Sequence, residues 1–524
     1  MRISKLGSFA LYFLVCYFAC VSLAQPADQA GFKPIFDGKT LNGWKAPDMS
    51  YWSVEDGAIT ARATKQHPVT RNQFLVWQLG ELDDFELKLK YRIEGTPAAN
   101  SGVQFRSRMA PEGHAIGYQA DIDAGGQWAG ALYDEHGRGM LAKRGQKTVI
   151  EPDGKMSRTA IGDPDALWAK IKKSDWKDYH IIARGSHIIL KINGQVTAEV
   201  IDNQDSQRDL SGVLALQLHS GPPLKVQFKD IRLKRLPLAE RKKVVLVAGR
   251  RSHGYGAHEH NAGCLLLAEK LNTHMPTVHA AVYRDGWPQD PTAFDNADAI
   301  AFYCDGGGGH MILPHLEELD RLAKDGVGLA FLHYAVIVPK GKPGNYLLDW
   351  IGGYYETHWS VNPHWKAEIQ KLPDHPITRG VKPFTIDDEW YYHMRFVENL
   401  ENVTPILTAV PPDSTRKRAD GAHSGNPHVR ARMGMPEHLA WAYQSPDGRR
   451  GFGFTGGHWQ WNWAHDDFRK LVLNALVWVA GAEVPPNGVP SRTPTLEELE
   501  ANQDYPKPNN WNAEKIRRMI EQWR

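Results

Sequence analysis

Cysteine is scarce in this chain: its 524 residues contain four. Cys16 and Cys20 fall within the first 24 residues, which leaves Cys264 and Cys304 for the folded body. Two cysteines build no disulfide framework, and a chain this long buries a core without covalent staples. Both are expected as buried free thiols, a bridge between them being the alternative. Charge of one sign is also missing. There are 62 Lys and Arg against 60 Asp and Glu, and removal of a leader holding Arg2 and Lys5 would leave 60 against 60. That balance offers no electrostatic footprint for nucleic acid. Past residue 24 no apolar run reaches the roughly 20 residues of a bilayer span. No G-x-x-x-x-G-K-[ST] motif occurs, which removes the P-loop reading, and no internal repeat is visible. With 42% apolar and 23% charged residues, the chain is globular, with two large domains or three smaller ones.

What is abundant is tryptophan (18) and histidine (23), residue types typical of sites. The first residues carry the localisation reading. Arg2 and Lys5 precede an apolar run over residues 9–23, and Ser22-Leu23-Ala24 offers small residues for cleavage before Gln25. This is a secretory signal pattern over residues 1–24, so export to the periplasm or exterior is expected, with no stable membrane span after cleavage. An uncleaved anchor is the alternative. A lipoprotein would need Tyr17-Phe18-Ala19-Cys20 as its lipobox, a poor one.

Residues 32–236 read as short alternating strands. Phe85-Glu86-Leu87-Lys88-Leu89-Lys90-Tyr91 has period two, and Asn193-Gly194 is a strong hairpin turn. An all-β sandwich is expected. From residue 241 the pattern changes to continuous apolar runs (244–248, 299–303, 327–332) alternating with helical stretches (262–271, 313–324, 468–479). That predicts an α/β doubly wound parallel sheet over residues 241–482. Residues 483–524, rich in Pro and Asn, read as a docking tail or partly ordered extension.

In the β half, Asn100-Ser101-Gly102-Val103-Gln104-Phe105-Arg106 turns Gln104 and Arg106 away from Val103 and Phe105 if the latter point inward. Gln119, Asp121, Tyr133, Asp134, Glu135 and His136 follow on nearby strands. Such alternation makes a polar face suited to a sugar, or simply a solvated sheet. Trp44, Trp52, Trp77, Trp128, Trp168 and Trp176 supply faces for stacking on sugar rings, though most are expected in the core. The opening Phe36-Asp37-Gly38-Lys39-Thr40-Leu41-Asn42-Gly43-Trp44 resembles the 3-keto-disaccharide hydrolase family. So do residues 100–106, residues 176–179, Asn193-Gly194 and Leu216-Gln217-Leu218-His219. The resemblance implies a concanavalin-like jelly-roll sandwich acting on glycosides oxidised at sugar carbon 3. A 3-ketone acidifies the C2 proton, so a base can start elimination of the anomeric leaving group, and water can add later. Asp121, Asp134 and Glu135 are the catalytic candidates. Gln104, Arg106, Gln119, Trp128 and Tyr133 are the substrate-binding ones. Family members often carry Glu and Gln where this chain has Gln119 and Asp121.

Seventeen of the 23 histidines lie in residues 241–482. The first strand there runs into Gly249-Arg250-Arg251-Ser252-His253-Gly254-Tyr255-Gly256-Ala257-His258-Glu259-His260. This loop leaves the carboxyl end of a parallel strand, where open α/β sheets bind ligands. Its glycines make no dinucleotide fingerprint. His253, His258 and His260 could converge on a divalent metal, or serve only as hydrogen-bonding loop residues. The central strand ends in His333-Tyr334, in the position of a nucleophile elbow. Asp387-Asp388-Glu389 and Gly456-Gly457-His458-Trp459 follow. Gly328 to His333, His375 to Gly380, Asp388-Glu389 and Gly457-His458 resemble the trehalose-utilisation (ThuA-like) family, which implies the fold of class I glutamine amidotransferases. His333 stands where the amidotransferase nucleophile would be, so glutamine hydrolysis is not expected. His333, Glu389 and His458 form the candidate catalytic core of this half, with Tyr334 and Trp459 as candidate sugar contacts. The sequence thus reads as an exported carbohydrate-catabolic enzyme for a small-molecule or oligosaccharide substrate. The alternatives are a non-catalytic glycan-binding protein and a metal-dependent enzyme seated in the α/β half.

Overall fold

The computed structural model describes residues 30–523. The expected leader, with Cys16 and Cys20, lies outside the described residues. Among those described, no helix is long and apolar enough to cross a membrane.

Residues 33–235 form two stacked sheets of ten and seven strands, the concanavalin-like sandwich. Alternation explains the stacking. In the strand Phe85–Gly95 of the larger sheet, Phe85, Leu87, Leu89 and Tyr91 are buried while Glu86, Lys88 and Lys90 face outward. Opposite them, Val103, Phe105, Tyr118 and Ala120 of the smaller sheet fill the same core. The strands Asn100–Met109 and Ala115–Asp123 pair antiparallel, with Gln104 opposite Gln119 and Gly102 opposite Asp121. That register puts Gln104, Gln119 and Asp121 on the face turned away from the core. Pairing is antiparallel almost throughout; Gln146–Ile150 and Gln195–Asp202 run parallel. The Asn193-Gly194 turn has φ of 49° and 76°, the conformation a two-residue hairpin needs.

Residues from Lys242 onward build a seven-stranded sheet. Five strands are parallel, in the order Val278–Tyr283, Lys242–Ala248, Ala299–Tyr303, Gly328–Leu332 and Arg450–Phe454. Two antiparallel strands, Glu437–Gln444 and Val403–Ala409, complete it. Helices His260–His274 and Asp466–Val479 pack on one face, and Leu316–Lys324 and Lys342–Ile351 on the other, so the sheet is doubly wound. Cys264 and Cys304 are both free and buried.

Lys33–Arg524 is one compact unit, and a buried ion network ties the sandwich to the α/β sheet. Asp83 of the sandwich receives Lys243 Nζ at 2.5 Å and Arg235 Nη1 at 3.3 Å. Arg235 also reaches Asp290 at 2.8 Å, and Lys243 reaches Asn296 at 2.8 Å. The Asp83, Arg235 and Lys243 side chains are at most 2% exposed. Despite the cost of burial, the Lys243, Arg235 and His279 charges hold the Asp83 carboxyl well below its ordinary range.

The C-terminal extension docks. Its helices Leu496–Glu500 and Ala513–Trp523 place Leu496, Leu499, Ile516 and Ile520 in the core beside Asp466–Val479. Asp504 N–H donates to Glu259 at 2.8 Å and Asn261 donates to Asp504 at 2.9 Å, so the extension grips the loop that holds His258.

Candidate functional site

The structure contains two concentrations of chemistry. The first is a cavity of about 430 Å³ on the outer face of the smaller sandwich sheet. Gln119, Asp121, Trp128, Tyr133, Glu135, Lys143 and His219 contribute to its wall. Asp121 is 5% exposed and ends a directed relay of hydrogen bonds. Ser107 Oγ donates to Gln104 at 2.9 Å, Gln104 Nε2 to Gln119 at 2.9 Å, and Gln119 Nε2 to Asp121 Oδ1 at 2.7 Å. The relay fixes both amide orientations and aims the carboxylate. Burial pushes Asp121 up to about 8, and the Gln119 hydrogen bond offsets only part of this. Burial also raises Glu135, against the pull of His136, His219 and His114. Trp128 is set by a turn in which Asp123 accepts the backbone N–H groups of Gly126, Gln127, Trp128 and Ala129 at 2.7–3.1 Å.

Three sandwich residues have other roles than expected. Gln104 is fully buried behind Gln119, so it orients and does not touch a ligand. Arg106 sits at a bulge with φ of 46°, which swings its side chain off the polar face. Its guanidinium bonds Asp83 O, Gly185 O and Asp84 at 2.6–2.7 Å and is 1% exposed. Asp134 points the opposite way from Tyr133 and Glu135, as strand alternation requires. Arg138 holds it at 2.7 Å and also bonds Asp202 at 2.7 Å. Lys143 and His219 were not foreseen as site residues. His219 directly follows the strand Val213–Leu218; the motif Leu216-Gln217-Leu218-His219 contains it, but the motif alone assigns it no role.

Gly102 faces Asp121 across the strands because nothing larger fits. A Cβ there would lie 2.6 Å from the Gln119 side chain. Gly102→Ala is expected to displace Gln119 and lower kcat on a 3-keto-glycoside about 100-fold, the scale of an ångström misplacement. A rate within threefold of wild type would show that Gln119 does not position Asp121.

The second concentration lies at the carboxyl ends of the parallel strands. His333 follows Gly328–Leu332, His258 comes from the loop after Lys242–Ala248, and His458 from the turn after Arg450–Phe454. Glu389 ends Phe384–Glu389 in a two-stranded hairpin laid beside them. His258 Nε2 lies 3.1 Å from His333 Nε2 and 3.0 Å from His458 Nδ1. Glu389 Oε2 lies 3.1 Å from His458 Nδ1, 3.5 Å from His333 Nε2 and 3.2 Å from the Tyr391 hydroxyl. Asn362 Nδ2 holds the other Glu389 oxygen at 3.0 Å. Asp388 accepts the N–H groups of Gly457 and His458 at 2.7 and 3.0 Å and so fixes that turn. Burial holds His258 well below the ordinary histidine range, in its neutral form.

His253 stacks on His258 at 3.6 Å between ring centroids, and Tyr334 stands 5.6 Å from His258. Trp459 meets His458 at 4.4 Å. His260 is displaced from this group. It opens the helix His260–His274, donates Nδ1–H to Arg250 O at 3.2 Å, and keeps Nε2 in the protein interior. Among the described residues, those able to converge on one ion are His258, His333, Glu389 and His458, and separately His253, His258 and Asp305. The second set includes an aspartate that sequence reasoning missed. Asp305 follows a buried strand, and only the fold brings it to His258.

Residues 31–234 match the model of the 3-keto-alpha-glucoside-1,2-lyase-like domain, and residues 244–479 that of the trehalose utilisation domain. The chain joins these two carbohydrate-related domains. The Asp121 cavity therefore belongs to the lyase-like domain and the histidine cluster to the trehalose utilisation domain. No curated protein matches significantly. Among solved structures, a thua-like protein from Parabacteroides merdae is 15% identical, with 51% of this chain and 98% of that one covered and a TM-score of 0.34. A carbohydrate-binding module from Bacillus subtilis is 12% identical, covering 37% of this chain and 95% of that one, TM-score 0.25. A beta-glucanase from Bacillus licheniformis is 11% identical, covering 39% and 97%, TM-score 0.25.

Proposed function

We infer that the chain is an exported carbohydrate-catabolic enzyme whose lyase-like domain cleaves 3-keto-glycosides at the Asp121 cavity. One observation carries the reading: a buried carboxyl poised near 8 at the end of an amide relay, in a cavity with a second carboxyl of raised pKa. A base of that strength suits a proton made acidic by an adjacent ketone. Asp121 takes the C2 proton, and the electron pair passes into the ketone as an enolate. Lys143, on the cavity wall, supplies the positive charge that steadies the developing oxyanion. The enolate then forms the C1=C2 double bond as the C1–O bond breaks. Glu135, whose carboxyl burial raises, stands on the same wall to give a proton to the departing oxygen. Elimination yields an unsaturated 3-keto sugar and the free alcohol. Water added across C1=C2 returns the 3-keto sugar, which completes a net hydrolysis. Trp128 and Tyr133 provide the apolar wall on which a sugar ring rests. The trehalose utilisation domain handles a related sugar at its strand ends, and export rests on the pattern in residues 1–24.

The test is incubation of the whole protein with a 3-keto-α-glucoside in D2O. Alcohol release with deuterium at C2 of the recovered sugar is expected, and the parent glucoside without the ketone should survive. Release without C2 exchange would point to an oxocarbenium mechanism. No release at all would leave a glycan-binding domain.

A further inference from the structure

We propose that His258, His333, His458 and Glu389 are the ligands of one divalent transition metal of the zinc type. His258 Nδ1 is 3.0 Å from the Asp305 carboxylate, which accepts and cannot donate. The His258 proton shared with that carboxylate is therefore on Nδ1. His333 Nδ1 is 2.8 Å from the carbonyl of Thr455, again only an acceptor, so the His333 proton is on Nδ1 as well. Both Nε2 atoms then carry bare lone pairs, and they face each other at 3.1 Å. His458 Nδ1 and Glu389 Oε2 close on the same point. The Tyr391 hydroxyl supplies one proton, 3.1 Å from His333 Nε2 and 3.2 Å from Glu389. Even with His458 Nδ1 donating in one tautomer, two donors do not satisfy the three acceptors that meet there; a cation at their centre satisfies them all.

The spacing fits. Ligands about 2.0–2.1 Å from a tetrahedral zinc ion stand roughly 3.3–3.4 Å apart. The four closest pairs here are 3.0, 3.1, 3.1 and 3.5 Å apart, and all four atoms lie within 4.8 Å of one another. Three imidazoles and one carboxylate form a donor set that suits zinc and its neighbours over magnesium or calcium. The supporting partners are also in place. Asp305 orients His258, the Thr455 carbonyl orients His333 and Asn362 holds Glu389, as metal ligands usually require. Backbone strain points to the same place. His258 and His333 have φ of 51° and 55°, a conformation unfavourable for a side-chain-bearing residue and concentrated at working sites. Glu389 also borders a cavity of about 360 Å³ with Asn362, His364, Ser414 and Arg418.

The probe is the metal alone. The full chain is stripped with a chelator and titrated with ZnCl2, and in parallel with CoCl2 while visible absorption is followed. One ion per chain and the intense visible bands of tetrahedral Co2+ are expected. His333→Ala should weaken zinc binding more than 100-fold, and Asp305→Asn 10–100-fold. His260→Asn should stay within threefold of wild type, because His260 is not a ligand. Zinc stoichiometry near zero for the folded wild-type chain, or an equal loss in the His260 and His333 variants, would overturn the assignment. The wild-type stoichiometry decides the matter even if a variant fails to fold. The readout is independent of glycoside cleavage, so it stands or falls separately from the reading of the Asp121 cavity.

Discussion

Asp121→Asn is expected to abolish cleavage of 3-keto-glycosides, with kcat falling about 1000-fold, and to make the protein more stable in alkali. The first effect is loss of a positioned base, typically worth 10²–10⁴-fold. The second follows from linkage. Burial raises Asp121 from an ordinary 3.8 to about 8. Between those values the folded chain binds a proton that the unfolded chain does not, so the contribution of Asp121 to stability falls as pH rises. It is most favourable below about 4 and is lost as pH passes 8. Ionising such a carboxyl costs the folded state roughly 6 kcal/mol in full. Asparagine has the same shape, still accepts from Gln119 and carries no such cost. Thermal melts of wild type and variant should therefore coincide near pH 4 and separate by pH 9, with the variant higher. Wild-type kcat should climb with pH towards 8 as the base form fills. A variant that melts lower than wild type at pH 9, or a wild-type rate flat between pH 6 and 9, would remove Asp121 as the base.

Asp83→Ala is expected to cost about 3–5 kcal/mol, because it strands Lys243 in the interior without its counter-charge and leaves Arg235 with Asp290 alone. Lys243 comes from the first strand of the α/β sheet and Arg235 from the last strand of the sandwich, so the damage falls on the junction. The urea transition of the whole chain should move to clearly lower concentration. Replacing Asp83 and Lys243 together by apolar residues of similar size should recover most of the loss. If the single substitution shifts the transition by less than the equivalent of about 1 kcal/mol, water reaches the network and the junction is looser than the contacts imply.

The two folds were legible because their patterns are local. Phe85, Leu87, Leu89 and Tyr91 announce a half-buried strand by their own spacing, and residues 244–248 announce a strand buried on both faces. The sites were legible only in part. Asp121, Glu135, Trp128 and Tyr133 do meet in one cavity, but Asp134 sits one pleat out of phase and Arg106 leaves the face through a bulge. A bulge depends on what the neighbouring strand and loop demand, and no residue in 100–106 encodes it alone. Histidine enrichment marked the correct half of the chain. Which histidines converge was hidden, because His258 meets His333 and His458 only after three separate strands align. The partners that orient them, Asp305 and the Thr455 carbonyl, carry no sequence signal at all.

The grip of the C-terminal extension on Glu259 and Asn261 has a practical corollary. The match to the trehalose utilisation domain stops at residue 479, yet Asp504 lies beyond it and holds the residues flanking His258. Trp511 closes the same loop from outside, packing on Tyr255 and Trp461. The inherited module and the working module are therefore of different lengths. Whoever borrows this half for another purpose must carry its tail, or inherit a histidine loop held only from the inner side, by its backbone bonds to residues 458–460.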